Sequence, residues 1–307
     1  IFNEYKSAAI IAENILKKII NLCNIGIKCS YICSIGNTLL ETELNNTFKN
    51  KQRGIVMPLC LSINSIISHN IYTEENDYIL KDNDIIKIEF SCHINYHCVV
   101  IGDTIKVGDN NYKNDEHMLC AKIAMTTAIN NIEPGMDIRN FYNIIKKVGE
   151  CYNMHLVKRP NVFNDLETTI YYDWCYRDYD FLHEPSWVVK NNEQLELDNI
   201  DELSDDEIDK NETFTRGEIY HMDVTFCKKD IPASVSEIEP KLYQRTNLFY
   251  NLKSKYAREL IKKVNDKYPK TFWKIDNIDL SNIKIKLGLK ECLEHNVIRS
   301  LGIVEKK

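Results

Sequence analysis

Asp84-Ile85-Ile86-Lys87-Ile88-Glu89-Phe90 opens a long β-rich passage that continues through His93-Ile94-Asn95-Tyr96 to Val100-Ile101-Gly102-Asp103-Thr104 and ends at Val107. The four residues from His93 predict a reversal, so the passage is expected to form a hairpin. A later strand, Arg216-Gly217-Glu218-Ile219-Tyr220-His221-Met222-Asp223, also ends in carboxylates. Carboxylates carried on strands are the groups to test first for acid–base or metal chemistry.

Upstream of the hairpin, Ala8, Ile11, Ile15, Ile19 and Leu22 repeat at three-and-four spacing, which predicts an amphipathic helix from Tyr5 to Cys23 with Gly26 as its C-cap. A second helix is expected after Ser30, with Ile32, Ile35, Leu39, Leu40 and Leu44 on one face. Gly54 to Ile67 is β-rich, and Pro58 marks an edge or bend. Downstream the order recurs. Asp115 to Ile132 predicts a helix with Cys120, Ile123, Ala124, Thr127 and Ile129 inward, closed by Pro134-Gly135. Asp137 then starts a helix bearing Ile138, Phe141, Ile144, Ile145 and Val148. Strand character returns at Glu218 to Phe226. Two helix–helix–sheet halves around a shared cleft are expected, an α+β chain whose first 240 residues form one domain. Residues 241–299 read as a small helical insert: a basic helix from Leu248 to Tyr268, a shorter one from about Asp279 to His295, and a strand from Asn296 to Val304 in a winged-helix-like order. Residues 300–307 read as a strand returning to the main domain.

Composition sets the outer limits. The 307 residues are 44% apolar and 27% charged, a folded water-soluble profile, and no apolar run is long enough to cross a bilayer. Ile1-Phe2-Asn3-Glu4 shows no secretory signal. Eleven cysteines at irregular spacing, without Cys-x-x-Cys, suggest reduced core thiols in the cytosol or nucleus rather than a disulfide or zinc framework. No glycine-rich phosphate loop occurs. Charge is unevenly divided: residues 1–240 hold 23 Lys+Arg against 38 Asp+Glu, net −15, and residues 241–307 hold 16 against 7, net +9. Residues 191–212 contribute ten acidic residues and one Lys, which predicts a solvated loop; Ser204 in it would suit an acid-directed kinase. A polyanion would therefore be met at the C-terminal quarter, by Lys253, Lys255, Arg258, Lys262, Lys263, Lys267 and Lys270.

Several segments together resemble the pita-bread fold of the type II methionine aminopeptidases, and more closely their proliferation-associated, ErbB-receptor-binding relatives. They are Tyr5-Lys6 through Leu16, Ser62-Ile63-Asn64 with Ser68-His69, and Asp77-Tyr78-Ile79-Leu80-Lys81 with Asn83 where Gly is usual before Asp84. The strand Lys87 to Phe90 with His93, Pro134-Gly135, Glu218-Ile219-Tyr220 with Asp223, and Glu291-Cys292 with Glu294-His295 complete the set. The resemblance implies association with RNA and ribosomal particles and with protein partners, roles in ribosome production, translation and growth, and a cytoplasmic and nucleolar location. No cofactor and no membrane insertion are expected, and the chain is read as monomeric.

Active members of that superfamily hold two divalent ions with two Asp, one His and two Glu. Two ions polarise the scissile carbonyl and lower the pKa of the bridging water together. Here the resemblance puts Glu89 at the first Asp and Val100 at the second. It leaves the His to His183, with Asp178 as alternative, puts Asp223 at the first Glu, and places the last Glu on a closing strand past Glu305-Lys306-Lys307, an ending that reads as a truncated chain. His69 matches the substrate-facing His. A relic cleft of His69, Glu89, Val100, His183 and Asp223 is thus expected, with no metal and no catalysis. Two alternatives stand beside it: an aminopeptidase with a rearranged set of Glu89, His183, His221 and Asp223, and a groove in which His69 holds a peptide end uncut. His93 and His97 are expected as surface residues at a turn, and Cys98 with His97 is not expected to form a dyad, since strand neighbours face opposite ways.

Overall fold

The computed structural model describes residues 2–108, 115–156, 175–177, 213–217, 220–222, 224–228, 233–246 and 248–306. Contacts divide the chain into two units, Ile1–Asn111 with Ser234–Lys307, and Tyr112–Ala233. The division by contacts thus runs differently from a boundary at residue 240.

The first unit begins with helices α1 (Phe2–Leu22) and α2 (Cys29–Asn46), followed by strands β1 (Arg53–Ile63), β2 (Ile66–Ser68), β3 (Ile85–Ile94) and β4 (His97–Lys106). On α1 the predicted stripe is the buried one, Ala8, Ile11, Ile15 and Ile19. Gly26 does not cap this helix. It lies four residues beyond the helix end, at φ 85°, in the turn to α2, and its N–H donates to Leu80 O at 2.8 Å. The N-terminus of α2 has no cap of its own. The Asp77 carboxylate supplies one from 47 residues away, accepting from Ser30 N at 2.9 Å and Ser30 Oγ at 2.7 Å. Asn83, in the place where Gly is usual, sits at φ 66°, a left-handed conformation that Asn tolerates better than most residues. Its neighbour Asp84 accepts from Asn64 Nδ2, Tyr78 Oη and Lys81 N, tying the β3 entry to the turn before it.

The hairpin is present as read. Its register is unbroken from Ile85↔Lys106 to Ile94↔His97, and Asn95 and Tyr96 both have positive φ, 52° and 66°, as a two-residue hairpin turn of matching twist requires. β1 lies on the other side of β3, with register shifts on either side of Met57, so the kink expected at Pro58 is built from bulges. Strand alternation gives this sheet two faces. Leu59, Leu61, Ile86, Ile88, Phe90, Cys92 and Ile94 pack in one core with Ala8, Ile15, Ile19, Ile32 and Leu40 of the helices. α2 approaches β1 closely enough to require Gly36: a Cβ there would lie 2.4 Å from Leu59 Cδ2.

In the second unit, α3 (Glu116–Asn131) is capped by Asp115, whose carboxylate accepts from His117 N and Met118 N. The inward face differs from the one expected. Met118, Cys120, Ala124 and Ala128 are buried, while Ile123 and Ile129 are exposed, because small alanines rather than the larger isoleucines allow close approach to α4 (Ile138–Cys151). Phe141 and Ile145 of α4 are fully buried, and Phe141 meets Phe214 edge-on at 5.7 Å. Of the strand expected from Glu218 to Phe226, the described residues Tyr220–Met222 and Phe226 lie in short strands with different partners. Strand β5 (Met154–Leu156) pairs with β8 (Phe226–Lys228), and β6 (Cys175–Arg177) pairs with β7 (Tyr220–Met222). A helix pair followed by antiparallel strands therefore occurs in each unit. The acidic stretch 191–212 lies outside the described residues.

The remainder of the first unit contains β9 (Ala233–Val235), β10 (Leu242–Arg245), α5 (Lys255–Lys267), β11 (Phe272–Trp273), α6 (Asn282–Glu294), β12 (Ile298–Leu301) and β13 (Val304–Lys306). β10 runs between β11 and β12, and Leu260, Val264, Trp273, Ile285, Leu289, Cys292 and Ile298 make a core of their own with the two helices. Two sequence expectations are corrected here. The basic helix starts at Lys255, not Leu248, because Ser254 caps it by accepting from Tyr256 N and Ala257 N. The last strand is interrupted after Leu301, and β13 pairs instead with β2, Val304↔Ser68 and Glu305↔Ile66. Among the described residues no helix is long and apolar enough to cross a membrane.

Replacing Asp77 with Ala leaves the first donors of α2 uncapped. Chemical denaturation should show a loss of about 1 kcal/mol, whereas Asp82→Ala, an exposed neighbour, should be near neutral.

Candidate functional site

The sheet face turned away from α1 and α2 is fixed by register. Directly opposed residues on paired strands share a face, so Cys60 of β1 and Gly102 of β4 flank Glu89, and Met57 and Val100 flank Ser91. Glu89, Ser91 and Val100 are therefore close neighbours on one surface. Gly102 permits close strand approach beside Glu89, since a Cβ there would lie 2.7 Å from Ile88 O.

Glu89 Oε1 accepts the backbone N–H of His69 at 2.5 Å. His69 follows β2 in a left-handed conformation, φ 64°, and is 5% exposed. Its Nδ1 lies 3.2 Å from Gly302 O, a contact that the neutral tautomer with the proton on Nδ1 satisfies. The carboxylate that the resemblance assigns to an ion is thus engaged with main chain. The imidazole that it assigns to substrate is tied to the turn leading into β13. Ser62 Oγ, Ser91 Oγ and Asn70 Oδ1 are buried in the first unit and have no hydrogen-bond partner among the described residues.

Of the five relic-cleft residues, His69, Glu89 and Val100 lie in the first unit. His183 and Asp223 lie outside the described residues, as do Asp178 and Glu218. Among the described residues, no group of three or more His, Cys, Asp or Glu side chains could hold a metal ion. His93 and His97 face opposite sides: His93 stacks on Tyr96 at 5.7 Å and its Nδ1 accepts from Tyr96 N, while His97 meets Tyr5 at 4.8 Å. They are not surface residues of one turn, for His93 is buried, and burial pulls its pKa down to about 4. Cys98 is opposite His93, not paired with His97, and burial pushes its thiol up, away from nucleophilic use.

Residues 3–164 match the metallopeptidase family M24. The chain belongs to that family. It is 26% identical to proliferation-associated protein A of Dictyostelium discoideum, across 99% of this chain and 75% of the relative, and 24% identical to ERBB-3 binding protein 1 of Solanum tuberosum, across 100% and 75%. Among solved structures, a thermophilic Arx1 superposes with a TM-score of 0.75 at 18% identity, covering 99% of this chain and 83% of that one, which establishes the pita-bread fold. The two ions used by peptidases of the M24 family do not fit the described part of this site. Val100 offers no lone pair where a carboxylate is required, and one oxygen of Glu89 is held by the His69 amide.

The seven basic residues occupy more than one surface. Lys255, Arg258 and Lys262 follow one another at helical spacing on α5. Lys263 and Lys267 lie on another stripe, where Lys263 Nζ is 3.7 Å from Asp279 and Lys267 Nζ 3.4 Å from Asn277 O. Glu259 stands between the stripes and pairs with Lys284 at 3.8 Å. Arg258 donates to Leu252 O and Lys253 O, fixing the chain before the helix. Lys253 precedes the helix, and Lys270 follows it. Glu291, which the sequence offers only as part of the resemblance, has a local role: its carboxylate accepts from Lys253 N and Ser254 N, bonds that draw its pKa down; and Phe249 and Tyr250, expected inside a helix, are exposed ahead of it. Ser254, a cap residue just ahead of the apolar period, is the signal that separates them from it.

The buried neutral His93 gives a pH test. Its folded pKa lies below the usual 6.5, so the unfolded chain binds the extra proton first, and stability is present above 6.5 and lost as pH falls toward about 4. The loss should reach about 3 kcal/mol, and His93→Gln should flatten that part of the stability–pH curve.

Proposed function

We propose that this chain is a non-catalytic member of family M24 that binds RNA or ribosomal particles and protein partners, and thereby regulates ribosome production, translation and growth in cytoplasm and nucleolus. The observation that carries the non-catalytic half is Val100 beside a Glu89 engaged by the His69 amide. Water activation needs an ion gripped by several oxygens, and this pair supplies too few. The binding half is supported by the charge division, +9 over residues 241–307 against −15 over the rest, and by exposed Lys253, Lys255, Arg258, Lys262, Lys267 and Lys270 in or beside the C-terminal helical module. The names of relatives agree in kind: one is called an ERBB-3 binding protein, and a Schizosaccharomyces pombe relative a curved DNA-binding protein.

Phosphate contacts from lysines are salt-dependent and indifferent to base identity. Changing Lys262, Lys263 and Lys267 together to Glu should weaken binding to ribosomal RNA by about tenfold or more at physiological salt and reduce the slope of affinity against salt. Unchanged affinity rejects the assignment. The same purified chain, given a Met-Ala-Ser peptide with Co²⁺ or Mn²⁺, should show no release of Met; turnover would establish the aminopeptidase with a rearranged set instead.

A further inference from the structure

Among the described residues Phe249 is the most exposed large apolar side chain, at 96%, and residues on either side of it are hydrogen-bonded. Arg245 donates to Thr246 O, Leu248 O and Val297 O. Leu248 N donates to Thr246 Oγ1, and Thr246 Oγ1 donates to Asn296 O at 2.6 Å. At the other end, Glu291 takes the N–H groups of Lys253 and Ser254. The exposed ring therefore lies between two hydrogen-bonded stretches, with the Arg245 guanidinium 5.9 Å from its centroid. Next to it, Tyr250 stacks on His295, centroids 3.6 Å apart and planes 15° from parallel, and remains 40% exposed. Tyr250 also lines an open surface groove of about 390 Å³ with Leu252, Ile261, Arg258, Lys262 and Asp266.

We infer that Phe249 and the Tyr250–His295 stack form a platform on which unpaired bases of an RNA strand stack, with Lys253, Lys255, Arg258 and Lys262 taking the adjoining phosphates. The inference rests on the RNA-binding reading above and adds to it how the strand is held. Planar rings presented beside cations suit nucleobases, because every base has a stacking face and every nucleotide a phosphate. A protein partner's apolar side chain would also cover Phe249, but the cations around it favour a polyanion, and the −15 over residues 1–240 repels one from the rest of the chain. The hydrogen bonds on Leu248, Lys253 and Ser254 restrain the residues flanking the ring, which lowers the ordering cost of binding.

The test uses the whole chain and a single-stranded RNA of about 12 nucleotides carrying 2-aminopurine, with a blunt duplex of the same sequence for comparison. The single strand should bind more tightly than the duplex, and its 2-aminopurine fluorescence should be quenched on binding. Phe249→Ala, at a site too exposed to unfold the protein, should weaken binding about tenfold and relieve quenching with the salt slope unchanged, and Phe249→Trp should restore both. Lys253→Gln with Lys255→Gln should lower the salt slope and keep quenching at low salt. If Phe249→Ala leaves affinity and quenching unaltered while the Lys262, Lys263, Lys267 variant still loses ribosomal RNA, or if the duplex binds as tightly as the single strand, the platform is wrong and the RNA reading survives. Binding of neither the oligonucleotide nor ribosomal RNA overturns both.

Discussion

The register of β3 with its two neighbours governs the first unit. Side chains on a strand alternate, so pairing Glu89 with Gly102 and with Cys60 sends Ile86, Ile88, Phe90, Cys92 and Ile94 toward the helices and Glu89, Ser91 and His93 to the other side. A slip of one residue would bury carboxylate and imidazole against α1 and bring Phe90 out. The core of α1, α2 and sheet thus specifies where the site residues stand. The bulges around Met57 let β1 follow the bent hairpin without losing this alternation. The Asp77 cap and the contacts of Asp84 then fix the turn that delivers β3 to the sheet.

Much of this was legible beforehand where a single period dominated. The α1 stripe, the helix pair before each set of strands, and a hairpin reversal within His93-Ile94-Asn95-Tyr96 are legible from spacing and turn chemistry. α3 defeated the same approach because its apolar residues cover much of the helix surface. Only packing against α4 decides that Ala124 and Ala128 face inward and that Ile123 and Ile129 do not. The start of α5 was lost to continuity of composition, since Leu248 to Lys253 carries apolar and basic residues like those of the helix. Capping by Ser254 and the Glu291 carboxylate decides it. Glu291 comes from α6, and no local pattern reports a bond across 37 or 38 residues.

The site was legible in part for a similar reason. The resemblance identified Glu89, Val100 and His69 as the positions to inspect, and the sequence alone showed that Val100 carries no oxygen. That Glu89 accepts from the His69 amide, and that His69 is held in a left-handed conformation beside Gly302 O, depends on contacts across 20 and 233 residues. His93 likewise reads as a turn residue, and only the structure shows it buried and neutral.

An isopropyl group at position 100, where the resemblance expects a carboxylate, has its own energetic logic. Two carboxylates on neighbouring strands, on one sheet face and without a cation, would repel each other, and one would be held protonated. Val100 removes that repulsion and the cost of desolvating a second charge. Glu89 accepts the His69 N–H, a bond that helps hold a turn in which His69 is left-handed. An apolar residue at position 100 is thereby compatible with the arrangement around His69. Restoring the oxygen alone would set a second negative charge against Glu89 with only part of an ion site to offset it. The hydrocarbon at position 100 and the Glu89–His69 bond thus belong to one local arrangement, set by the same register that packs the core.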